Sequence, residues 1–501
     1  MKGQTKLLKH VYNRYIAKER VPAFLIPNKN IKTLLTPPEF YNTIIEGIKS
    51  SKYRILISSL YIGTGQLERQ LVDTLIDSSN KNPKLIVKIL VDKNRGQRKG
   101  KSGESTFTLL QSAMDRAQFP ENLKFSFIWA NGLNRRYDPY AKQFGEGKGT
   151  FHSKVAIFDD SILLTGANCS EDYFVNRKDR YVVFDDSREF SDYLEDFFDC
   201  FLDLGDKVVR GEKQPRIDFE KYNKYTERLS QRFNLFKYNT QINDEKLAII
   251  DQYVKDYYQN NVDQSLLTVS NEQGQYNTSK EKSNFDKAIV IPAFQIPIIN
   301  YKGDEVLMKD LFNQIKDNDL VEKANLTIAS GYFNPLNEFL PIFKGMPDVL
   351  RTQFVTGSPL TNSFHNGGTL KGKIPAVYRL SLLNWIQGLK GRDNFEFFEY
   401  YKERTTYHTK GLWYWHCSKD FTEYMTIVGS SNYAQRSYIR DTEGQFIVFQ
   451  NNCENTIEFE KERKALFEYG VPITEEIIKN DEVTKLNWAV KILYYCFKGF
   501  V

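Results

Sequence analysis

Two of the chain's five histidines stand in the same tripeptide frame, His152-Ser153-Lys154 and His408-Thr409-Lys410. In an extended strand alternate side chains share a face, so each frame aims an imidazole and an ammonium into one pocket. That pair suits phosphoryl transfer: the imidazole attacks phosphorus or moves a proton, and the ammonium holds a phosphate oxygen. Each frame is followed by a glycine-containing turn ending in asparagine, Gly166-Ala167-Asn168 and Gly429-Ser430-Ser431-Asn432. The amides of Asn168 and Asn432 are placed to donate to phosphate oxygens. Asn after Gly is also ordinary turn chemistry.

The rest of the chain repeats with the motifs. Val21-Pro22-Ala23-Phe24-Leu25-Ile26-Pro27 recurs as Ile291-Pro292-Ala293-Phe294-Gln295-Ile296-Pro297, an offset of 270, and residues 53–61 recur more loosely as 324–332, an offset of 271. The histidines are 256 apart and the asparagines 264. Two homologous halves, each presenting one His-x-Lys, imply a single site at their interface. Arginines follow each motif: Arg177 and Arg180 in the first half, Arg436 and Arg440 in the second. Guanidinium groups clamp phosphates bidentately, although Asp179 and Asp441 are ready ion-pair partners.

Apolar runs predict strands at 54–59, 85–91, 125–129, 154–158 and 162–165, and again at 326–330, 352–356, 395–400, 411–415 and 425–428. Residues 39–49 and 67–78 have helical spacing. Strands alternating with helices predict an α/β fold with a mixed sheet flanked by helices in each half. The first half is placed at 21–200 and the second at 286–485. Between them 201–285 reads as a helical and flexible connection, polar at 270–284.

The chain has 501 residues, 41% hydrophobic and 14% aromatic, with a formal charge of +6. That is a globular protein with enough material for two or three cores, and a mild basic excess suits an anionic surface or a phosphate-rich substrate. Five cysteines without metal-like spacing fit a reduced compartment, and no His/Cys/Asp cluster has metal spacing. Residues 96–102, Gly-Gln-Arg-Lys-Gly-Lys-Ser, are one residue short of a P-loop between the glycines and read as a basic loop instead. No run approaches the roughly 20 apolar residues that span a bilayer. Residues 1–20 are basic with apolar positions at helical spacing, in the manner of a transit peptide or an interfacial helix. Residues 486–501 are rich in Trp, Tyr and Lys, a second candidate membrane contact; packing on the core is the rival for both ends.

The first motif, His152-x-Lys154-x4-Asp159 with Gly166-Ala167-Asn168, resembles the phospholipase D superfamily. Within it the chain resembles eukaryotic phosphatidylglycerophosphate synthases from about residue 39 to 451. That likeness rests on Ser59-Leu60-Tyr61-Ile62-Gly63-Thr64-Gly65, Asp172-Tyr173-Phe174, Asn176-Arg177-Lys178-Asp179-Arg180-Tyr181, Tyr407-His408-Thr409-Lys410-Gly411-Leu412-Trp413, and Arg440-Asp441-Thr442-Glu443. Two positions depart from the superfamily pattern: Trp415 stands where Asp would complete the second motif, and Phe151 precedes the first His. The resemblance implies two phospholipase D-like halves sharing one active site at their interface.

It further implies transfer of the phosphatidyl group from CDP-diacylglycerol to glycerol 3-phosphate through a phosphohistidine, with His152 as nucleophile and His408 as acid/base. Lys154, Lys410 and the asparagines would neutralise developing charge, and Asp159 would orient neighbouring groups, with a surface turn at Asp159-Asp160-Ser161 as its rival reading. This chemistry requires no metal or other cofactor and leaves divalent-ion dependence open, as it does oligomeric state. The expected partners are the two substrates and an anionic membrane surface, with no nucleic acid, and the expected place is the mitochondrial inner membrane, bound peripherally. Rival readings are another superfamily activity such as phosphatidylserine synthase or phospholipase D, a DNA-end phosphodiesterase, or an inactive lipid-binding scaffold. Against the DNA enzyme stands the lack of a basic stripe interleaved with aromatics.

Overall fold

The run Arg54–Ser59 (β3) has no polar face, and the fold buries it on both sides. It pairs in parallel with Ile86–Asp92 (β4) and antiparallel with Val155–Phe158 (β6), the strand that follows the first His-x-Lys frame. A computed structural model describes residues 6–100, 102–130, 149–213, 224–260, 286–318, 320, 323–365, 371–418, 421–450, 454–481, 484 and 486–497.

Around β3 lies an eight-stranded sheet. It is completed by Phe24–Pro27's neighbour Ile31–Leu34 (β2), Leu123–Ile128 (β5), Ser161–Thr165 (β7), Tyr181–Phe184 (β9) and Asp206–Lys207 (β10), in the spatial order β10-β5-β4-β3-β6-β7-β9-β2. The second half builds its sheet on Ala324–Ser330 (β13). Its spatial order is β11-β19-β18-β17-β13-β14-β15-β20, from Lys287–Ile296 (β11), Leu350–Gly357 (β14), Phe395–Tyr400 (β15), Lys410–Cys417 (β17), Thr422–Gly429 (β18), Glu443–Gln450 (β19) and Gly470–Pro472 (β20). Six strands correspond in order, β5-β4-β3-β6-β7-β9 against β15-β14-β13-β17-β18-β19. The predicted mixed α/β sheets and the duplication are therefore one observation. Helices Pro37–Ser50 and Gln66–Lys81 cover the first sheet. The former starts at a capping box between Thr36 and Glu39, with Pro37 in its first turn.

The halves are interlaced rather than merely adjacent. Phe24–Pro27 (β1), in the expected first half, pairs antiparallel with β11 of the second sheet, Phe24 opposite Val290. Residues 24–27 of the first repeated segment thus pair with 287–290, just before the second repeated segment 291–297, and each segment leads into a short 3-10 turn. Two connecting helices, Tyr225–Asn239 and Asp244–Asn260, are described between the halves; the polar stretch 270–284 lies outside the described residues.

The N-terminal segment differs from the sequence expectation. Helical turns Leu7–Val11 and Tyr12–Lys18 bury Leu7, Leu8, Val11, Tyr15 and Ile16 in the core of the second half. Leu7 N and Leu8 N donate to the buried Glu423 carboxylate (3.1 and 2.8 Å), while His10, Arg14 and Tyr15 converge on Asp310. The apolar spacing that suggested a leader or an interfacial helix serves intramolecular packing. At the other end, Trp488–Phe497 packs Val490 and Tyr494 inward and leaves Trp488, Ile492 and Tyr495 exposed.

Candidate active site

Each half fixes the histidine backbone of the other. Thr406–Tyr407 (β16), just before His408, runs parallel to Arg177–Lys178 (β8) of the first half, and His408 N donates to Lys178 O at 2.8 Å. In the same relation Phe151 bridges Thr442, and His152 N donates to Thr442 O at 2.8 Å. Gly331 lies so close that a Cβ there would stand 2.8 Å from His408 Cα, so only glycine lets the two strands approach.

The imidazoles are held the same way. His152 Nδ1 lies 2.9 Å from Glu443 Oε2, and His408 Nδ1 lies 2.7 Å from Asp179 Oδ2. Both carboxylates come from the opposite half, each eleven residues after its asparagine (Asn168 to Asp179, Asn432 to Glu443). A carboxylate accepting Nδ1–H fixes the tautomer and leaves the Nε2 lone pair for attack or proton transfer. The lysines complete the frames: Lys154 Nζ donates to His152 O (2.5 Å), and Lys410 Nζ donates to His408 O (2.7 Å) beside its ring. Tyr173 OH sits 3.3 Å from His408 Nε2 and receives Asn168 Nδ2–H at 3.1 Å. Tyr332 meets the His408 ring edge-on and stacks on Tyr378.

Burial sets the electrostatics. It lowers both imidazoles well below their ordinary value, with Lys154 and Lys410 respectively as the next cause. It raises Asp179 to about 6 and Glu443 to about 7, and depresses Lys154 to about 7 and Lys410 to about 8. The carboxylates rise although their nearest cations pull them down, so desolvation outweighs pairing here. Six ionisable groups in one dry pocket leave cationic and proton-transfer capacity around neutral pH.

The pseudo-twofold symmetry is broken in one place. Asp172 pairs with Arg177 in the first half, whereas at the positions 264 residues on Arg436 pairs with Asp441. Arg177 also donates to Thr406 Oγ1 and stacks over Tyr173, next to His408. Asp441 accepts from Thr150 N and Oγ1, next to His152. The His408 side is therefore cationic at the position where the His152 side is anionic.

Of the residues singled out in the sequence, His152, Lys154, His408 and Lys410 meet in one pocket. Asn168 and Asn432 are buried beside it, and their Oδ1 atoms have no hydrogen-bond partner. Arg177 and Arg436 flank it, with Arg440 next to Arg436. Two residues do not belong. Asp159, in the left-handed region at φ 52°, accepts the backbone N–H groups of Lys52, Tyr53 and Arg54, at the far end of β6 from His152. Five residues of extended chain put it about 16 Å from Lys154. It caps the tight β6–β7 hairpin and orients no reacting group. The longer β17–β18 hairpin continues in register through Cys417 opposite Thr422, so Trp415 lies within paired strand and no turn there needs a cap. Arg180 is fully buried, bonded to Glu462, Ile427 O and Thr426 Oγ1 and stacked on Trp413; it ties the halves together and reaches no substrate.

His152, Asp441 and Glu443 bring possible ligand atoms within 4.8 Å of one another. These atoms are mutually occupied, Glu443 with His152 and Asp441 with Thr150 and Arg436, so they form a hydrogen-bonded pair rather than a vacant cage. Phe151, the unexpected residue before the first His, is fully buried against Phe198 and Phe201.

The family profile described as "Cardiolipin synthase, PLD-like domain" matches residues 44–201. Over 98% of its length the chain superposes on 96% of the phosphatidylserine synthase from Haemophilus influenzae with a TM-score of 0.68 at 18% identity, which establishes the shared fold. The chain belongs to the phospholipase D superfamily. Among full-length relatives of this superfamily member, the "Probable CDP-diacylglycerol--glycerol-3-phosphate 3-phosphatidyltransferase" of Dictyostelium discoideum is 28% identical over 96% of the chain and 79% of its own length. The mitochondrial proteins so named from Gallus gallus and Homo sapiens are each 28% identical over 89% of the chain and 79% of theirs.

Sequence reasoning undervalued the superfamily site's two carboxylates. Asp179 was visible as an arginine partner and inside the resemblance, and Glu443 only inside the resemblance. The signal was present: the 264-residue offset of the asparagines also relates Asp179 to Glu443.

Proposed function

We propose that this enzyme transfers the phosphatidyl group of CDP-diacylglycerol to the primary hydroxyl of sn-glycerol 3-phosphate, giving phosphatidylglycerophosphate and CMP. The observation that carries the mechanism is the crossed pairing of His152 with Glu443 and His408 with Asp179, in a chain whose relatives are phosphatidyltransferases by name over nearly its whole length. His152 Nε2 attacks the phosphorus bearing diacylglycerol, a P–N bond forms, and the P–O bond to CMP breaks with its electron pair leaving on the CMP phosphate. The acceptor hydroxyl then gives its proton to His408 and attacks the same phosphorus, releasing His152. Lys154, Lys410 and the amides of Asn168 and Asn432 bear on the non-bridging oxygens. The chain's own groups account for each proton.

The broken symmetry supports the order of roles. Leaving CMP and incoming glycerol 3-phosphate occupy the same side of the phosphorus, opposite the nucleophile, and both carry a phosphate. Arg177 places its cation on the His408 side, which fits His408 as acid/base and an anionic acceptor.

The relatives' designation places the protein in the mitochondrion. We put it peripherally on the inner membrane: no helix among the described residues is long and apolar enough to cross a bilayer, and the donor is a two-chain lipid. The test is incubation of the pure protein with labelled CDP-diacylglycerol and each of glycerol 3-phosphate, glycerol, serine and water. Product from glycerol 3-phosphate alone is expected. Equal transfer to serine or water would move the assignment to a sibling activity.

A further inference from the structure

Val175 and Ile439 occupy equivalent positions of the duplicated fold, 264 residues apart, and both are exposed apolar side chains, 53% and 56% accessible. Each closes the short helix that follows a site asparagine, Glu171–Val175 and Gln435–Ile439. Two residues earlier each helix turns a polar side chain inward. Tyr173 reaches His408, and Ser437 Oγ receives Asn432 N–H beside Glu443. The same two helices thus line the site with one face and present an aliphatic group to the outside with the other.

A single exposed valine or isoleucine needs no explanation. A symmetric pair has a geometric consequence, because residues related by a twofold axis stand at the same height along it. Val175 and Ile439 stand in that relation in the repeat, each two residues from a side chain that reaches the site, Tyr173 and Ser437. Cations accompany both. Arg436 and Arg440 adjoin Ile439, and the loop carrying exposed Lys402 and Arg404 adjoins Val175 through the Thr406 N to Asn176 O bond, with Glu403 the acid among them.

We infer that Val175 and Ile439 form a paired apolar rim that seats the catalytic mouth on an anionic phospholipid bilayer, with the pseudo-twofold axis along the membrane normal. The occupant is a lipid surface because the donor's phosphorus must reach the histidines while its acyl chains remain in the bilayer. This inference rests on the proposed phosphatidyl transfer. It moves the principal contact from the chain ends to the two halves: the apolar face of residues 7–16 is buried in the second half's core, and the exposed face of Trp488, Ile492 and Tyr495 becomes an accessory.

The double variant Val175→Glu/Ile439→Glu should be compared with Val349→Glu, an exposed valine elsewhere (45% accessible), for binding to phosphatidylcholine/phosphatidylglycerol vesicles. Turnover is read twice, with long-chain CDP-diacylglycerol in those vesicles and with a short-chain, water-soluble CDP-diacylglycerol. The rim variant should lose about tenfold or more in vesicle binding and vesicle turnover, as when reversible apolar anchors are removed. Its soluble-donor turnover should stay within about twofold, the scale of a surface substitution. Val175→Trp/Ile439→Trp should bind vesicles more tightly than the parent. Unchanged vesicle binding by the Glu pair, or weaker binding by the Trp pair, overturns the rim. Absence of turnover by the parent with either donor would instead overturn the function, and vesicle binding would still decide the rim.

Discussion

His408 Nδ1 lies 2.7 Å from Asp179 Oδ2, and that carboxylate belongs to the opposite half of the chain. With His152 and Glu443 in the reciprocal relation, neither half contains a complete histidine–carboxylate pair. The duplication is therefore functionally indivisible: a motif from one half is oriented by the other.

Asp179→Asn and Glu443→Gln should each lower kcat by about 10²–10⁴, because the amide no longer fixes the productive tautomer or stabilises the imidazolium. KM for either substrate should change little, since neither carboxylate contacts substrate. Steady-state kinetics check this, and a loss confined to KM would argue for a binding role instead.

His152→Ala should abolish transfer and release no CMP. His408→Ala should also stop turnover, yet release CMP stoichiometrically with enzyme on mixing with CDP-diacylglycerol, because the nucleophile survives and CMP is a competent leaving group. Rapid-quench measurement of CMP separates the roles. A burst from His152→Ala and none from His408→Ala would exchange them.

The pH profile should be a bell centred near neutrality. As pH falls through about 7 and then about 6, Glu443 and Asp179 take up protons and cease to accept from the imidazoles. As pH rises through about 7 and then about 8, Lys154 and Lys410 lose the charge that steadies phosphate oxygens. Both imidazoles are depressed by burial, so their own protonation does not set the acid limb. Lys410→Arg should extend activity to higher pH. A parent profile flat from pH 6 to 9 would contradict the assigned limbs.

The strands around the site were legible because they are buried on both faces and read as unbroken apolar runs; β3 and β15 keep their expected limits. What the sequence could not disclose was partner choice. Asp159 and Asp179 are both acids near a motif, but one meets three backbone N–H groups at a turn and the other an imidazole from across the interface. Arg177 and Arg180 are three residues apart, and only the fold tells that one flanks the site and the other is spent on Glu462. Strand β1 joins the wrong sheet for its position because pairing follows edge geometry, not chain order.

Asp159→Asn should leave kcat within about threefold while lowering the melting temperature, as loss of a charged acceptor of backbone N–H groups costs on the order of 1–3 kcal/mol. Thermal unfolding beside steady-state assays tests this. A loss of kcat beyond a hundredfold in a protein of unchanged stability would return Asp159 to the chemistry.

Deletion of residues 1–18 should prevent stable folding rather than mimic a processed enzyme. The segment buries Leu7, Leu8, Val11 and Ile16 at 2% accessibility or less. At about 1.5–3 kcal/mol each, their burial contributes about 6–12 kcal/mol, comparable to the whole stability of a typical domain. Deletion would also leave the buried Glu423 and the carboxylate of Asp310 without the N–H, imidazole and guanidinium groups that now satisfy them. Leu8→Asp should act in the same direction through one residue. Soluble yield and thermal unfolding of both variants beside the parent measure the effect. A folded, active protein starting at residue 19 would show that the strap is dispensable and that its fit to the second half's core is incidental.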